Sequence, residues 1–406
     1  MGRIADYLRS VDPTRPEYRD QLSASARLTS IDILRGLVIV VMGLDHTRDF
    51  FGVTSFAPED PAQTTVAFFF TRWITHYCAP VFLFLTGIAA FLYGVKRGSR
   101  RDLTRFLLSR GMWLIAVEIV LINTSWQSYW AGFMFLQVIW AIGLSMIILA
   151  ALIWVRPGWI LAIALVSILG HNLLDGIPKQ AFGDFSWWWL IFHQQGWIPT
   201  GPGRFGVFVI YPLLPWFGVM AAGYLLGPVF LKPADERRSI LVRLGIGLTL
   251  AFFVLRFADF YGDPSSWQVQ ERGAAFTVLS FLNTTKYPPS LLFLLMTLGP
   301  AIWILPWLER WRGGTAKLLL VFGSVPFFYY VVHIPVLNLM AHGWNGYHYG
   351  FYGHLAYRAN NPPAGYEANL VVVYGAWFLA TFFLYFGCRW FSGVKKRHRT
   401  WWIRYL

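Results

Sequence analysis

Long apolar stretches punctuate the chain from near its start to near its end. They fall close to residues 30–50, 76–95, 104–123, 133–154, 158–174, 206–230, 239–257, 288–308, 317–341 and 368–390, with the polar residues gathered between them. A helix rises 1.5 Å per residue, so about 17–25 apolar residues cross the ~30 Å hydrocarbon core of a bilayer. The pattern therefore predicts an all-α fold, a polytopic integral membrane helix bundle of about ten transmembrane helices. Residues 1–29 read as a cytoplasmic N-terminal segment, 30–390 as a single transmembrane domain and 391–406 as a basic cytoplasmic tail. Residues 1–29 are polar and Arg-rich, with neither a short apolar core nor a small-residue cleavage site, so the first helix is expected to act as its own signal anchor.

Composition agrees with a membrane setting. The 406 residues are 56% hydrophobic and 13% charged, with mean hydropathy +0.48. Soluble chains carry roughly 25% charged residues. A net charge of +14 would by itself suggest a nucleic-acid partner, but its distribution says otherwise. With the N-terminus inside, 26 of the 34 lysines and arginines fall on one side of the ten-span map. The positive-inside rule makes that side cytoplasmic, with both termini there, and a bacterial cytoplasmic (inner) membrane is the expected location. The basic excess is then a topology signal, and nucleic-acid binding is not expected. Cys78 and Cys388 map near opposite faces, which excludes a disulfide between them, and no metal-ligand spacing accompanies them. No metal is expected.

The outward connections (50–75, 175–205, 258–287 and 343–367) are long and rich in aromatic residues, Gly and Pro. FGDFSWWWLIFHQQGW (182–197) and HGWNGYHYGFYGH (342–354) are the clearest cases. Such residues serve either as an interfacial aromatic belt or as a platform stacking on sugar rings, and both readings hold for different residues.

Ionisable residues inside the spans carry the chemistry. The first span reads SIDILRGLVIVVMGLDH (30–46) and is followed by Arg48 and Asp49. Arg35 and His46 are eleven positions apart, about 1100° of helix, so they share one face about 16 Å apart along the axis. Asp49 lies one turn beyond His46, near enough to orient a ring nitrogen, and Asp45 can pair with Arg48 at i+3. A neutral imidazole beside a carboxylate is a general base near neutral pH. The bland alternative is a histidine capping a helix end that faces water. In FTRWITHYCAPVFLFLTG (70–87), Arg72 and His76 are one turn apart and Pro80 suits the start of a helix, which sets His76 at the outer mouth level with His46. Glu118 inside the third span, His333 between Pro326 and Pro335, and Lys286 in NTTKYPPS (283–290) are substrate-side or structural candidates. Lys286 could bind an anion or snorkel.

Five blocks carry a family resemblance: SIDILRGLVIVVMGLDH, THYCAPVFLFLTG (75–87), LQVIWAIGLSMI (136–147), YPLLPWFGVMAAGY (211–224) and SFLNTTKYPPSLLFLLMTLGP (280–300). Over roughly residues 28–340 the chain resembles the bacterial branch of the heparan-alpha-glucosaminide N-acetyltransferase family. Its Arg-x10-His spacing is also similar to that of the integral-membrane O-acyltransferases of bacterial polysaccharides. The resemblance implies transfer of an acyl group from cytoplasmic acyl-coenzyme A to a sugar amine or hydroxyl on the far side. In the lysosomal members the proposed catalytic histidine sits in the loop after the first helix, and an Asn matches His46. Here loop 50–75 contains no histidine, so the role passes to His46 or His76, and a bacterial envelope glycan is the expected acceptor.

Acyl transfer from a thioester needs a base, oxyanion donors and a hold on a polyanionic coenzyme. KRGSRR (96–101) offers Lys96, Arg97, Arg100 and Arg101 to the phosphates in a Gly-containing loop expected to be flexible, with Arg35 lining the path of the pantetheine arm. The expected catalytic set is His46, Asp45, Asp49 and His76. Arg35, Arg97, Arg100 and Arg101 would hold acetyl-coenzyme A, and Arg48, Arg72, Glu118, Lys286 and His333 would serve substrate or structure. Membrane lipid, acyl-coenzyme A and an extracytoplasmic glycan or amino sugar are the expected partners, with room for a homodimer. The competing class is a transporter or flippase of a sugar or lipid-linked glycan, which would use the same intramembrane charges without covalent chemistry. Paired broken helices in two repeated halves would favour it, and the chain shows no such repeat.

Overall fold

The computed structural model describes residues 2–24, 29–200, 205–398 and 400. Arg27, Arg399 and Arg404 of the basic set, and the tail from 401 onward, lie outside the described residues. Helices dominate, and each of the ten expected spans coincides with a helix or helices. Six helical stretches among the described residues are long and apolar enough to cross a membrane: Val66–Arg97, Arg100–Ser125, Leu214–Leu231, Ala234–Ala258, Leu291–Arg310 and Leu370–Arg397. A seventh results if Gly314–Ser324 and Pro326–Tyr349, bent by 87° at their junction, form one broken span. The protein is thus a multi-pass helical membrane bundle, with six or seven helical stretches among the described residues long and apolar enough to cross where the pattern predicts ten.

The other three segments differ for physical reasons. Thr29–Phe51 is a 23-residue helix, but it contains Asp32, Arg35, Asp45, Arg48 and Asp49. Val138–Leu152 is shortened to 15 residues because Phe133–Leu136 leaves the expected span to form a strand. Pro157–Leu169 has 13 residues, opening at a proline and ending before Gly170. At 1.5 Å per residue, 15 residues reach only about 22 Å.

The described residues gather into two compact units. The first comprises Met1–Ser30, Ala79–Ser265 and Thr285–Arg310. Its helices meet through glycines, which let backbones approach closely in the absence of a hydrophobic drive between helices in lipid. A Cβ on Gly87 would overlap the Met220 carbonyl, and one on Gly223 the Phe84 carbonyl. Gly111 and Gly143 meet in the same way between Arg100–Val117 and Val138–Leu152. A small sheet joins the end of one aromatic connection to the first residues of two expected spans: β1 (Phe133–Leu136), β2 (Gly196–Pro199) and β3 (Gly206–Val209). The order is β1-β3-β2, with β3 parallel to β1 (Phe133 opposite Gly206) and antiparallel to β2 (Gly196 opposite Val209). Part of what reads as outer loop in the sequence is therefore ordered backbone.

The second unit comprises Ile31–Cys78, Ser266–Thr284 and Trp311–Leu406. In it the helix Thr29–Phe51 crosses Gly314–Ser324 at a double-glycine contact, where a Cβ on Gly36 would strike the Leu319 carbonyl and one on Gly323 the Asp32 carbonyl. The 87° bend follows at Val325 (φ −136°, ψ 50°), because a residue before proline is driven out of the helical region. Helix Pro326–Tyr349 then runs on through the stretch expected as loop and stops at Gly350, whose φ is +63°. Leu370–Arg397 packs against both arms of the bend. Connection 50–75 also shrinks, since Val66–Trp73 is already helical, capped by the Thr65 hydroxyl. A 3-10 turn, Ile74–Tyr77, tightens the chain just before Pro80, which has no N–H to offer the His76 carbonyl. Cys78 and Cys388 are both buried and not joined by a disulfide, and Cys78 Sγ donates to the Val38 carbonyl at 3.2 Å.

Candidate active site

The second unit brings His46 and His333, 287 positions apart, into direct contact. His46 Nδ1 lies 2.6 Å from His333 Nε2, and the rings, with planes 18° apart and centroids 4.9 Å apart, meet edge to edge. His333 is fully buried and its Nδ1 faces two backbone carbonyls, Tyr330 at 2.7 Å and Tyr329 at 3.1 Å. Carbonyls only accept, so His333 Nδ1 carries the proton and its Nε2 the lone pair. His46 Nδ1–H is then the donor across the 2.6 Å contact, which leaves the basic lone pair of His46 on Nε2. Gly43 makes the approach possible, because a Cβ there would overlap the Tyr329 hydroxyl, and the Tyr329 ring stacks on His333. His46 itself is only half-buried.

Beside this pair runs a chain of alternating charges. Asp49 Oδ1 accepts from Arg48 Nη2 at 2.6 Å, and Arg48 Nη2 also reaches Asp45 Oδ1 at 3.3 Å. Asp45 takes Arg72 Nη1 on both oxygens at 2.7 Å, and Arg72 Nε donates to Glu59 Oε1 at 2.6 Å. His76, fully buried, ends the chain with Nε2 3.6 Å from the same Glu59 oxygen. The i+3 pairing of Asp45 with Arg48 matches the sequence expectation. Asp49 bonds Arg48, and His333 Nε2 stands at His46 Nδ1. Arg72 and His76 do sit one turn apart, held to the first helix through Asp45.

Glu59 is the residue that sequence reasoning missed. It lies in the 52–65 connection, where no helical periodicity flags it. Its loop is pinned from the same unit: Arg272 Nη1 donates to the carbonyls of Pro61 (2.7 Å) and Thr64 (2.8 Å), and Asn283 Nδ2 to that of Glu59 (3.0 Å). Burial opposes ionisation of Glu59, but Arg72, with help from His76 and Arg48, overrides it and holds the carboxyl well below the usual carboxylate range. Arg35 sits on the same helix as His46, bonded to Asp32 at 3.2 Å and directed at the Gly323 carbonyl at 3.4 Å.

The remaining predicted residues belong to the first unit. KRGSRR is not a flexible loop but a two-residue turn between Cys78–Arg97 and Arg100–Val117, made by Gly98 at φ +63° and Ser99, whose hydroxyl caps the second helix through the Asp102 N–H at 3.2 Å. Arg100 pairs with Asp12 at 3.0 Å, Arg97 lies 3.8 Å from Asp102, and Arg19 Nη2 donates to the Arg97 carbonyl at 3.2 Å. Arginines around a helix N-terminus form a ready anion site. Glu118 is fully buried in a π-helical turn, Glu118–Ile122, where its carboxyl faces the backbone N–H groups of Gln137 and Trp140 at the start of Val138–Leu152. Lys286 is buried too, its ammonium 5.2 Å from the Tyr287 ring.

Compared with known families, residues 27–254 match the profile of heparan-alpha-glucosaminide N-acetyltransferase, catalytic, over more than half of the chain. The chain belongs to this family. Membership makes it a membrane acetyltransferase that acts on glycans. The matched region holds His46, the charge chain from Asp49 to His76 and the arginine turn, but ends before His333, so the partner that sets the His46 tautomer lies beyond it. A search of curated proteins found no match.

Proposed function

We propose that the protein transfers an acetyl group from cytoplasmic acetyl-coenzyme A to a hydroxyl or amine of an envelope glycan on the outer face of a bacterial inner membrane, with His46 as general base. The observation that carries this reading is the His46–His333 contact of 2.6 Å, which leaves the lone pair of His46 on Nε2. His46 Nε2 takes the proton of the acceptor as its oxygen or nitrogen attacks the thioester carbon. Collapse of the tetrahedral intermediate breaks the C–S bond, and the imidazolium returns its proton to the departing thiolate. His333 shares the charge that His46 carries in between, as an orienting group does in a catalytic triad.

Arg48 and Arg72, bridged by Asp45, hold the helix end and the 52–65 connection in register around His46, with Asp49, Glu59 and His76 as their counter-charges. Arg97, Arg100 and Arg101 would receive the coenzyme phosphates at the turn, where guanidinium groups and a helix N-terminus converge. Arg35 is the candidate for guiding the pantetheine arm. Glu118 and Lys286 enter no step.

Glycan mass spectrometry tests the activity in cells. Deleting the gene should remove an acetyl group from an envelope glycan, wild-type protein should restore it, and a His46→Ala copy should not. An unchanged glycan in the deletion strain would contradict the reading.

A further inference from the structure

A second cluster of ionisable side chains, separate from every residue assigned above, lies within the first unit. His171 opens the turn His171–Leu174 after helix Pro157–Leu169, Asp175 follows it at i+4, and His193 closes helix Ser186–Phe192. One potential ligand atom from each lies within 4.8 Å of the others. His193 Nε2 is 3.2 Å from Asp175 Oδ1. That is close to the ~3.4 Å edge of a tetrahedron built on ~2.1 Å metal–ligand bonds.

Both histidines are buried, His171 at 1% exposure and His193 at 3%. Neither ring nitrogen of His171 has a hydrogen-bond partner, nor does His193 Nδ1. A neutral imidazole always presents one N–H and one lone pair, so no tautomer of His171 relieves this, and burying both groups unmet is unfavourable. A hydrogen-bonded His193–Asp175 pair would explain two of the three residues and leave His171 unexplained. The carboxylate is supported from behind. Asp175 Oδ2 accepts from Asn172 Nδ2 at 2.7 Å, and Asn172 Oδ1 accepts from the Leu291 N–H at 2.9 Å. Outer hydrogen bonds of this kind aim the ligands of metal sites. The Trp189 ring, 4.8 Å from that of His193, covers one side.

We propose that His171, Asp175 and His193 bind one divalent transition-metal ion, of which Zn²⁺ suits two imidazoles and a carboxylate best. A small rotation of His171 toward the other two closes the site, and a water takes the fourth position. The ion clips the aromatic segment 186–193 to the end of helix Pro157–Leu169, and through Asn172 to the start of helix Leu291–Arg310. In the sequence the group is visible only as His-x3-Asp followed by a distant His, too sparse a spacing to single out.

The test uses full-length protein in detergent, purified through a tag without histidine and without chelator. Elemental analysis should find about one Zn²⁺ per chain. Protein stripped by chelator should bind Co²⁺ with visible ligand-field absorption, and its melting temperature should fall on stripping and recover with Zn²⁺. His171→Ala and Asp175→Asn should each abolish the Co²⁺ spectrum and the Zn²⁺-dependent shift, whereas His348→Ala, at an exposed position, should keep both. Asp175→Asn can retain the bond to Asn172, so it separates loss of metal from loss of fold. Stripped wild-type protein without Co²⁺ absorption, or an unaltered spectrum in Asp175→Asn and His171→Ala, would overturn the assignment.

Discussion

His46 reaches His333 through backbone choices made within two helical turns of each residue. Gly43 admits Tyr329, and Pro326 redirects the chain so that the next helix presents His333 two turns later. Replacing His46 by Ala should lower acetyl transfer ~10²–10⁴-fold, the usual cost of losing a general base, while coenzyme A binding measured by calorimetry stays near wild type. His333→Gln, which can still accept from His46 Nδ1–H, should lose less of kcat than His333→Ala, and neither should shift the donor KM. Equal losses in both would show that His333 acts by packing and not by fixing a tautomer. Glu59 gives a pH prediction. Its folded-state pKa lies well below the ordinary carboxylate value of ~4.3, so its contribution to stability is present above that value and fades as the pH falls toward the folded-state pKa. Glu59→Gln should therefore melt lower than wild type at pH 7, with the gap narrowing below about pH 4. A gap that stays constant down to acid pH would contradict the ion-pair chain. At this scale the sequence revealed local pairs, such as Asp45 with Arg48 and Arg72 with His76, because helical spacing determines them. It could not reveal that His333 is the partner of His46, or that Glu59 neutralises Arg72, since tertiary packing and an aperiodic connection make those contacts.

Elements were legible to the extent that hydrophobic length specifies a helix. The ten apolar runs all meet helices, yet Phe133–Leu136 and Gly206–Val209 are drawn into strands and Pro326 breaks the ninth run at 87°. Both departures come from local rules, strand pairing and the restriction before proline, that a window of apolar residues does not register. The arginine turn is legible in the composition but its form is not, because Gly98 at positive φ and the Ser99 cap convert an expected loop into a helical hairpin. Changing Arg97, Arg100 and Arg101 together to Gln should raise the apparent KM for acetyl-coenzyme A with little change in kcat, since phosphate contacts persist from ground state to transition state. Normal donor kinetics in a correctly inserted triple variant would reduce these residues to topology signals. The double-glycine crossing gives a stability prediction. Gly36→Leu must push the Leu319 backbone away and should sharply reduce the yield of folded protein in detergent, as followed by size-exclusion chromatography.

Across the whole molecule, the segregation of positive charge predicts that both termini and the arginine turn face the cytoplasm. With Cys78 and Cys388 buried, single cysteines can report sidedness. Asp184→Cys and Tyr352→Cys should label with an impermeant reagent in intact cells, and Thr315→Cys only after lysis. The reverse pattern would invert the map. The most direct test of transmembrane acetyl transfer through His46 is made in sealed vesicles that hold the purified protein, with labelled acetyl-coenzyme A confined to the cytoplasmic face and glycan acceptor to the other. Label should appear on the acceptor across the membrane with wild-type protein and fall to background with His46→Ala. Transfer that occurs only when both substrates share one side, or that persists in His46→Ala, would contradict it.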